Sequence, residues 1–269
     1  ACGLERFDPS GFTVGADVDN AHAILLRSHR LAKADLGDNL RAVARAGVGV
    51  NNVPVDGCTE RGLVVFNTPG ANANSVKELT LTALLLASRD VLGGIDYVRT
   101  LSTVTDKAIL NKKIEAEKKR FKGRELFGRT LGVVGLGAIG SLVARAGLDI
   151  GMHVVGFDPA LSVDAAWRLP SEVQRMENLP ALLAMSDYIT LHVPALASTR
   201  NLIDAEMIRA FSRGAVLINF ARQEVVDEAA IADALCEGQL GGYLSDFPST
   251  ALANCDNVYA MPHLGASTL

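Results

Sequence analysis

The chain has 269 residues, 49% hydrophobic and 21% charged, and a mean hydropathy of +0.22. That balance excludes a disordered chain and suits either one large or two ordinary globular domains. A net charge of −4 gives no overall basic field, so neither nucleic acid nor an anionic membrane is an expected partner. The richest apolar stretch, Leu79 to Ala87, is interrupted by Thr80 and Thr82 and stops at Ser88-Arg89-Asp90, far short of the roughly 18–20 residues of a membrane span. Cys2, Cys58, Cys236 and Cys255 form neither a C-x-x-C pair nor a metal-ligand cluster. Free thiols, a cytoplasmic location and no metal are therefore expected.

Taken in chain order, Ala23–Arg27, Leu40–Ala44 and Leu63–Phe66 read as strands, and a helix is expected from about Ser75 to Ala87. The segment from Asp90 to Arg124 carries no strand signal, turns basic, and is expected to bridge two α/β units. From Leu131 the pattern is clean. Leu131–Val134, His153–Phe157, Tyr188–Val193, Ala215–Asn219, Leu240–Leu244 and Val258–Ala260 read as strands. Between them, Ala138–Ile150 carries apolar residues at helical spacing and Leu179–Met185 suits a short helix. Asp204 is expected to cap a helix ending before Gly214, and Asp227 one that stops at Gly238. Strand–helix–strand repetition at this spacing predicts a parallel, doubly wound α/β sheet, whose buried strands would account for the high hydropathy.

Gly135-Leu136-Gly137-Ala138-Ile139-Gly140 lies between the first strand of this series and its helix. The first glycine permits a tight turn, the second close approach of backbone to a pyrophosphate, and the third helix–strand packing. Asp158 ends the next strand, 23 residues after Gly135, where an acid accepts hydrogen bonds from the ribose hydroxyls of NAD and repels the 2′-phosphate of NADP. Pro159 beside it offers no compensating arginine.

Three further segments fall at the carboxyl ends of predicted strands: Leu191-His192-Val193-Pro194, Asn219-Phe220-Ala221-Arg222, and Pro262-His263-Leu264-Gly265-Ala266-Ser267-Thr268. With the glycine fingerprint, with Arg45-Ala46-Gly47-Val48-Gly49-Val50-Asn51-Asn52-Val53 and with Asn67-Thr68-Pro69-Gly70, they resemble the D-2-hydroxyacid dehydrogenase family. The likeness is closest to its 3-phosphoglycerate-oxidising branch. It implies two Rossmann/flavodoxin-like domains with parallel sheets. Residues 1–92 would form a substrate domain with a linking helix, and residues 93–269 an NAD-binding Rossmann domain. Relatives begin before Ala1 and continue past Leu269, so the substrate domain is expected to be incomplete and to expose apolar surface.

The resemblance also assigns roles. Arg222 would bind the substrate carboxylate and His263 would move the proton, and the residue types fit. A guanidinium grips a carboxylate through parallel N–H bonds, and imidazole titrates near neutral pH. His192, Val193, Pro194, Ala221, Asp246 and Gly265 would join the fingerprint residues and Asp158 around the cofactor. Arg27, Arg45, Lys118 and the amides of Gly47, Val48 and Gly49 would hold a phosphorylated 2-hydroxy acid. His22, His29 and His153 read as surface or strand-end residues. Most of the basic tract from Asn111 to Arg124 reads as a solvated helix face with pairs such as Glu115–Lys119.

The relatives' glutamate partner of the histidine is missing between Asp246 and His263. Asp246, a carboxylate from elsewhere, or no acid at all must then orient the imidazole. The expected activity is NAD-dependent oxidation of 3-phosphoglycerate, in a homodimer joined through the cofactor domain. The rivals are a glyoxylate or hydroxypyruvate reductase and an NAD-sensing corepressor or pseudoenzyme on the same fold.

Overall fold

The structure, a computed structural model, describes residues 4–268. The chain divides into two compact units, one ending at Ala71 and the other beginning at Asn72. Cys2 lies outside the described residues, and Cys58, Cys236 and Cys255 are free.

In the first unit, β1 (Ala23–Leu26), β2 (Ala42–Arg45), α1 (Val55–Glu60) and β3 (Val64–Phe66) succeed one another in order. The strands form a parallel sheet in the order β1-β2-β3. Leu26 and Val43 point to one face and pack with Leu31, Leu36, Leu40, Val53 and Cys58. On the other face Leu25 pairs with Ala44 and Ala44 with Phe66, and both large side chains are more than half exposed.

The second unit opens with α2 (Ala73–Ser88), α3 (Val91–Thr100) and α4 (Lys107–Glu117), which tightens into a 3-10 turn over Lys118–Phe121. The helix expected to link the domains is α2, and its Val76, Ala83 and Leu84 are buried in this unit's core. The 3-10 turn also changes the ion pairing. Glu115 pairs with Lys118 rather than Lys119, and Glu117 with Arg120. At three residues per turn, positions i and i+3 eclipse.

The remaining elements are β4 (Thr130–Val134), α5 (Ala138–Asp149), β5 (His153–Phe157), α6 (Val163–Ala166), β6 (Gln174–Arg175), α7 (Leu179–Met185) and β7 (Tyr188–Leu191). They continue with α8 (Ala205–Arg209), β8 (Ala215–Asn219), α9 (Glu228–Cys236), β9 (Leu240–Ser245) and β10 (Val258–Ala260). The seven strands form one parallel sheet, β10-β9-β8-β7-β4-β5-β6, whose order reverses between β4 and β7. Successive strand residues feed two cores. Val134, Ile189, Leu191, Leu217 and Tyr243 pack on one face beneath α7 and α9. Leu131, Val133, Tyr188, Val216, Ile218 and Leu244 pack on the other beneath α2 and α5. Burial on both faces removes any polar alternation, and this is the source of the unbroken apolar runs.

In the second unit, α8 and β7 end two or more residues short of what the sequence predicts. Asp204 does cap α8, accepting from the Glu206 and Met207 N–H groups at 2.9 Å, but α8 ends at Arg209. Ala210 and Phe211 turn inward through i→i−3 bonds, which buries Phe211. β7 ends at Leu191, just before the chain leaves the sheet at Pro194.

Candidate active site

Apart from Lys118, which lies in the 3-10 turn after α4, the predicted residues of the second unit come together at the carboxyl ends of β4, β5 and β7–β10, the edge of the sheet where doubly wound folds bind ligands. Gly135 turns with φ +89°, and a Cβ there would stand 2.6 Å from the His192 carbonyl oxygen. A Cβ on Gly140 would overlap the Gly135 carbonyl oxygen. Gly137 is different. Nothing lies within 4 Å of where its Cβ would stand, and no side chain caps the helix it precedes. Packing does not explain this glycine. The amino end of α5, at Ala138 and Ile139, is left open and suits an anion.

Asp158, beyond the end of β5, accepts from the Leu136 N–H at 2.8 Å and the Ala160 N–H at 2.9 Å. It lines a cavity of about 430 Å³ together with Leu136, Pro159, Leu161, Trp167 and Arg175. A carboxylate at the rim of an apolar-walled cavity, next to an uncapped helix start, fits the adenosine half of a dinucleotide.

His192 does not line that cavity. Its Nε2 lies 3.0 Å from Thr190 Oγ1, and its Nδ1 is buried without a partner although the residue as a whole is only partly covered. Burial pushes its pKa down to about 3, so the ring is neutral at physiological pH. Val193 packs beside Gly135, and Pro194 comes next, at the exposed rim.

A path of hydrogen bonds joins the loops bearing Arg222 and His263. Asn219, fully buried, donates from Nδ2 to the Arg222 carbonyl at 2.9 Å, and its Oδ1 accepts from the Ala221 N–H. The Asn219 carbonyl accepts from the Asp246 N–H at 3.3 Å, and the Asp246 carbonyl accepts from the His263 N–H at 3.1 Å. The Asp246 carboxylate, 2% exposed, accepts from the Leu264 N–H at 2.6 Å and the Gly265 N–H at 2.7 Å. Asp246 therefore braces the histidine loop through its backbone. Among the described residues no carboxylate bonds to the imidazole. The ring instead meets Phe247 edge-on, with centroids 5.3 Å apart and planes at 82°.

His263 itself has φ +54°. The other described non-glycine residues with positive φ are Asn20, Asn201 and Asn257, a type that tolerates this region. A histidine there costs on the order of 1 kcal/mol and persists because its surroundings hold it. Its side chain is exposed. Arg222 is half-buried, and its Nη1 donates to the Ala221 carbonyl at 2.6 Å.

In the first unit, Arg45 Nε donates to the Arg27 carbonyl at 3.3 Å, while the Asn52 amide donates to the Arg27 and His29 carbonyls. The Gly47 carbonyl accepts from the Thr68 N–H, and the Val48 carbonyl from Asn67 Nδ2. A Cβ on Gly47 would stand 2.6 Å from the Arg45 guanidinium, and Gly49 continues the same loop. Lys118 is exposed and ion-paired to Glu115. His22, His29 and His153 are exposed, as expected.

Sequence reasoning missed Asn219, Thr190, Phe247 and Arg175. Of these only Asn219 carried a usable signal. It is an amide at the end of an apolar strand, which must bond something once buried.

Residues 94–265 match the family model described as D-isomer specific 2-hydroxyacid dehydrogenase, NAD binding domain. The chain is 35% identical over 260 residues to the D-3-phosphoglycerate dehydrogenase of Methanocaldococcus jannaschii, covering 93% of this chain and 47% of that one. It is 36% identical over 263 residues to the hydroxypyruvate reductase of Thermotoga maritima, covering 93% and 80%. The D-lactate dehydrogenase of Aquifex aeolicus, solved with NAD and lactic acid, superposes with a TM-score of 0.74 at 29% identity, covering 92% and 77%. The chain thus spans about half the length of the phosphoglycerate dehydrogenases it matches.

Proposed function

The chain belongs to the D-isomer specific 2-hydroxyacid dehydrogenase family and carries its NAD-binding domain, and on that premise we propose that it oxidises D-3-phosphoglycerate to 3-phosphohydroxypyruvate, the opening step of phosphorylated serine biosynthesis. Bound NAD supplies the acceptor for the hydride that leaves C2. Arg222 exchanges the Ala221 carbonyl for the substrate carboxylate and holds it through parallel N–H bonds. His263 takes the hydroxyl proton at an imidazole nitrogen, and its exposure lets that proton pass on to water. Asp246 is a positioning residue, acting through the backbone of the histidine loop.

The observation that carries this reading is the hydrogen-bond path from Arg222 through Asn219 and Asp246 to His263. It couples the positions of a carboxylate-binding cation and a proton acceptor at the edge where the glycine turn opens. For the substrate's anionic groups we assign Arg27, Arg45 and the amides of Gly47, Val48 and Gly49, with Lys118 as an auxiliary cation. We further propose a cytoplasmic homodimer joined through the cofactor domain. The exposed Val91, Leu92, Ile95 and Val98 of α3 support such an interface.

A second reading, reduction of glyoxylate or hydroxypyruvate, is favoured by the 80% coverage of the Thermotoga enzyme. An NAD-sensing corepressor or pseudoenzyme is favoured by the imidazole's lack of an acidic partner. One assay separates the three: NADH formation from D-3-phosphoglycerate with a carbonyl trap, repeated with D-glycerate and D-lactate. Phosphoglycerate should turn over fastest. His263→Asn, which the left-handed backbone accommodates, should lower kcat about 10²- to 10⁴-fold with NAD affinity retained. Faster turnover of D-glycerate would favour the reductase, and a fully active variant would refute the role of His263.

A further inference from the structure

The Asp158-Pro159 pair by itself favours an unphosphorylated ribose, because a carboxylate at that position repels a 2′-phosphate. The cavity it lines holds a second charge, one delivered by a different strand. Arg175 sits on the edge strand β6 and lines the same space of about 430 Å³. Its backbone pairs with Gly156 of β5, and the next N–H, that of Met176, donates to the Gly156 carbonyl at 2.8 Å. The strand carrying the arginine is thus fastened to the strand that ends beside Asp158.

The two charges are held differently. Both Asp158 oxygens already accept backbone N–H groups, which anchor the carboxylate in place. The Arg175 side chain is exposed and takes no hydrogen bond or ion pair among the described residues. Around them the wall is largely apolar, with Leu136, Leu161 and Trp167, and the tryptophan is 84% exposed. An uncommitted guanidinium at such a rim presents planar N–H donors matched to phosphate oxygens. It also offsets the field of the neighbouring carboxylate.

We infer that Arg175 is a nucleotide-discriminating residue: it gives the ribose pocket a measurable affinity for 2′-phosphorylated dinucleotide in addition to NAD. The inference rests on placing the dinucleotide's adenosine in this cavity, and it goes further by giving the pocket a second ligand class and naming the residue responsible.

The test needs no turnover. Trp167 is the sole tryptophan and lines the cavity, so its fluorescence reports occupancy, with titration calorimetry as a second readout. Wild type is titrated with AMP and with adenosine 2′,5′-bisphosphate at low and high salt. The bisphosphate should bind within about tenfold of AMP and weaken more steeply with salt. Arg175→Ala should raise the bisphosphate Kd about tenfold or more, as loss of a charge-assisted bond implies, and shift the AMP Kd by less than about threefold. Arg175→Lys should recover part of the loss. AMP binding without measurable bisphosphate binding, or equal shifts for both ligands in Arg175→Ala, would overturn the inference and leave the adenosine site standing. If neither ligand binds by either readout, the adenosine placement falls, and the inference with it.

Discussion

Asp246→Asn tests the brace on the histidine loop. The wild-type carboxylate is 2% exposed and accepts two N–H groups, at 2.6 and 2.7 Å. Asparagine keeps one acceptor oxygen and sets an amide N–H against the other backbone donor. One charge-assisted bond is lost, worth about 1.5–3 kcal/mol, and a buried donor is left unpaired at a further cost of about 1–3 kcal/mol. The loop escapes part of this penalty by opening, so about 2 kcal/mol of local destabilisation is expected, or roughly 30-fold in the opening equilibrium. Amide hydrogen exchange on a peptide spanning 262–268 reads this directly, and exchange there should accelerate by about that factor. The main-chain bond from His263 to Asp246 survives the substitution, so the effect should centre on residues 264 and 265. Exchange within twofold of wild type would refute the bracing role, whatever happens to turnover.

The remaining predictions concern pH and the glycine turn. His192 is neutral when folded, with a pKa near 3 against about 6.5 in an unfolded chain. The unfolded state therefore binds the extra proton first, and stability is complete above pH 6.5 and falls as pH drops towards 3. By pH 5 the loss from this group should be about 2 kcal/mol. Urea denaturation at pH 7.5 and 5.0 should show a smaller pH effect in His192→Asn, and identical slopes would contradict this account. Gly137→Ala adds a methyl to open space, so it should leave the melting temperature within about 1 °C of wild type while weakening NAD binding about tenfold or more. Gly140→Ala drives its methyl into the Gly135 carbonyl and should lower both, with destabilisation of about 1–3 kcal/mol. Equal melting losses in the two variants would undercut the distinction between a ligand glycine and a packing glycine.

The sheet of the second unit was legible because burial on both faces writes itself as apolar runs such as Ala215–Asn219. The helices after Asp204 and Asp227 were legible from their caps, whose side chains do accept the first-turn N–H groups, and the cap of the helix at Leu179–Met185, Asn178, went unread. β6 was not legible. Two exposed residues, Gln174 and Arg175, form it, and an edge strand with no buried face leaves no pattern. The fingerprint and Asp158 could be read because spacing along one βαβ unit fixes their geometry. The brace could not, because Asn219, Asp246 and the amides of Leu264 and Gly265 meet across three strands. The position of His263 in the left-handed region was likewise hidden. Only glycine and asparagine advertise that conformation in a sequence.

The bare face of the three-stranded sheet bears on folding autonomy. Leu25, Ala44 and Phe66 make a continuous greasy row, while among the described residues seven apolar side chains are buried together on the opposite side. So small a nucleus scarcely offsets the chain entropy of some seventy residues. A fragment stopping at Ala71 should therefore self-associate or stay unfolded, whereas one starting at Asn72 carries two continuous cores and should fold alone.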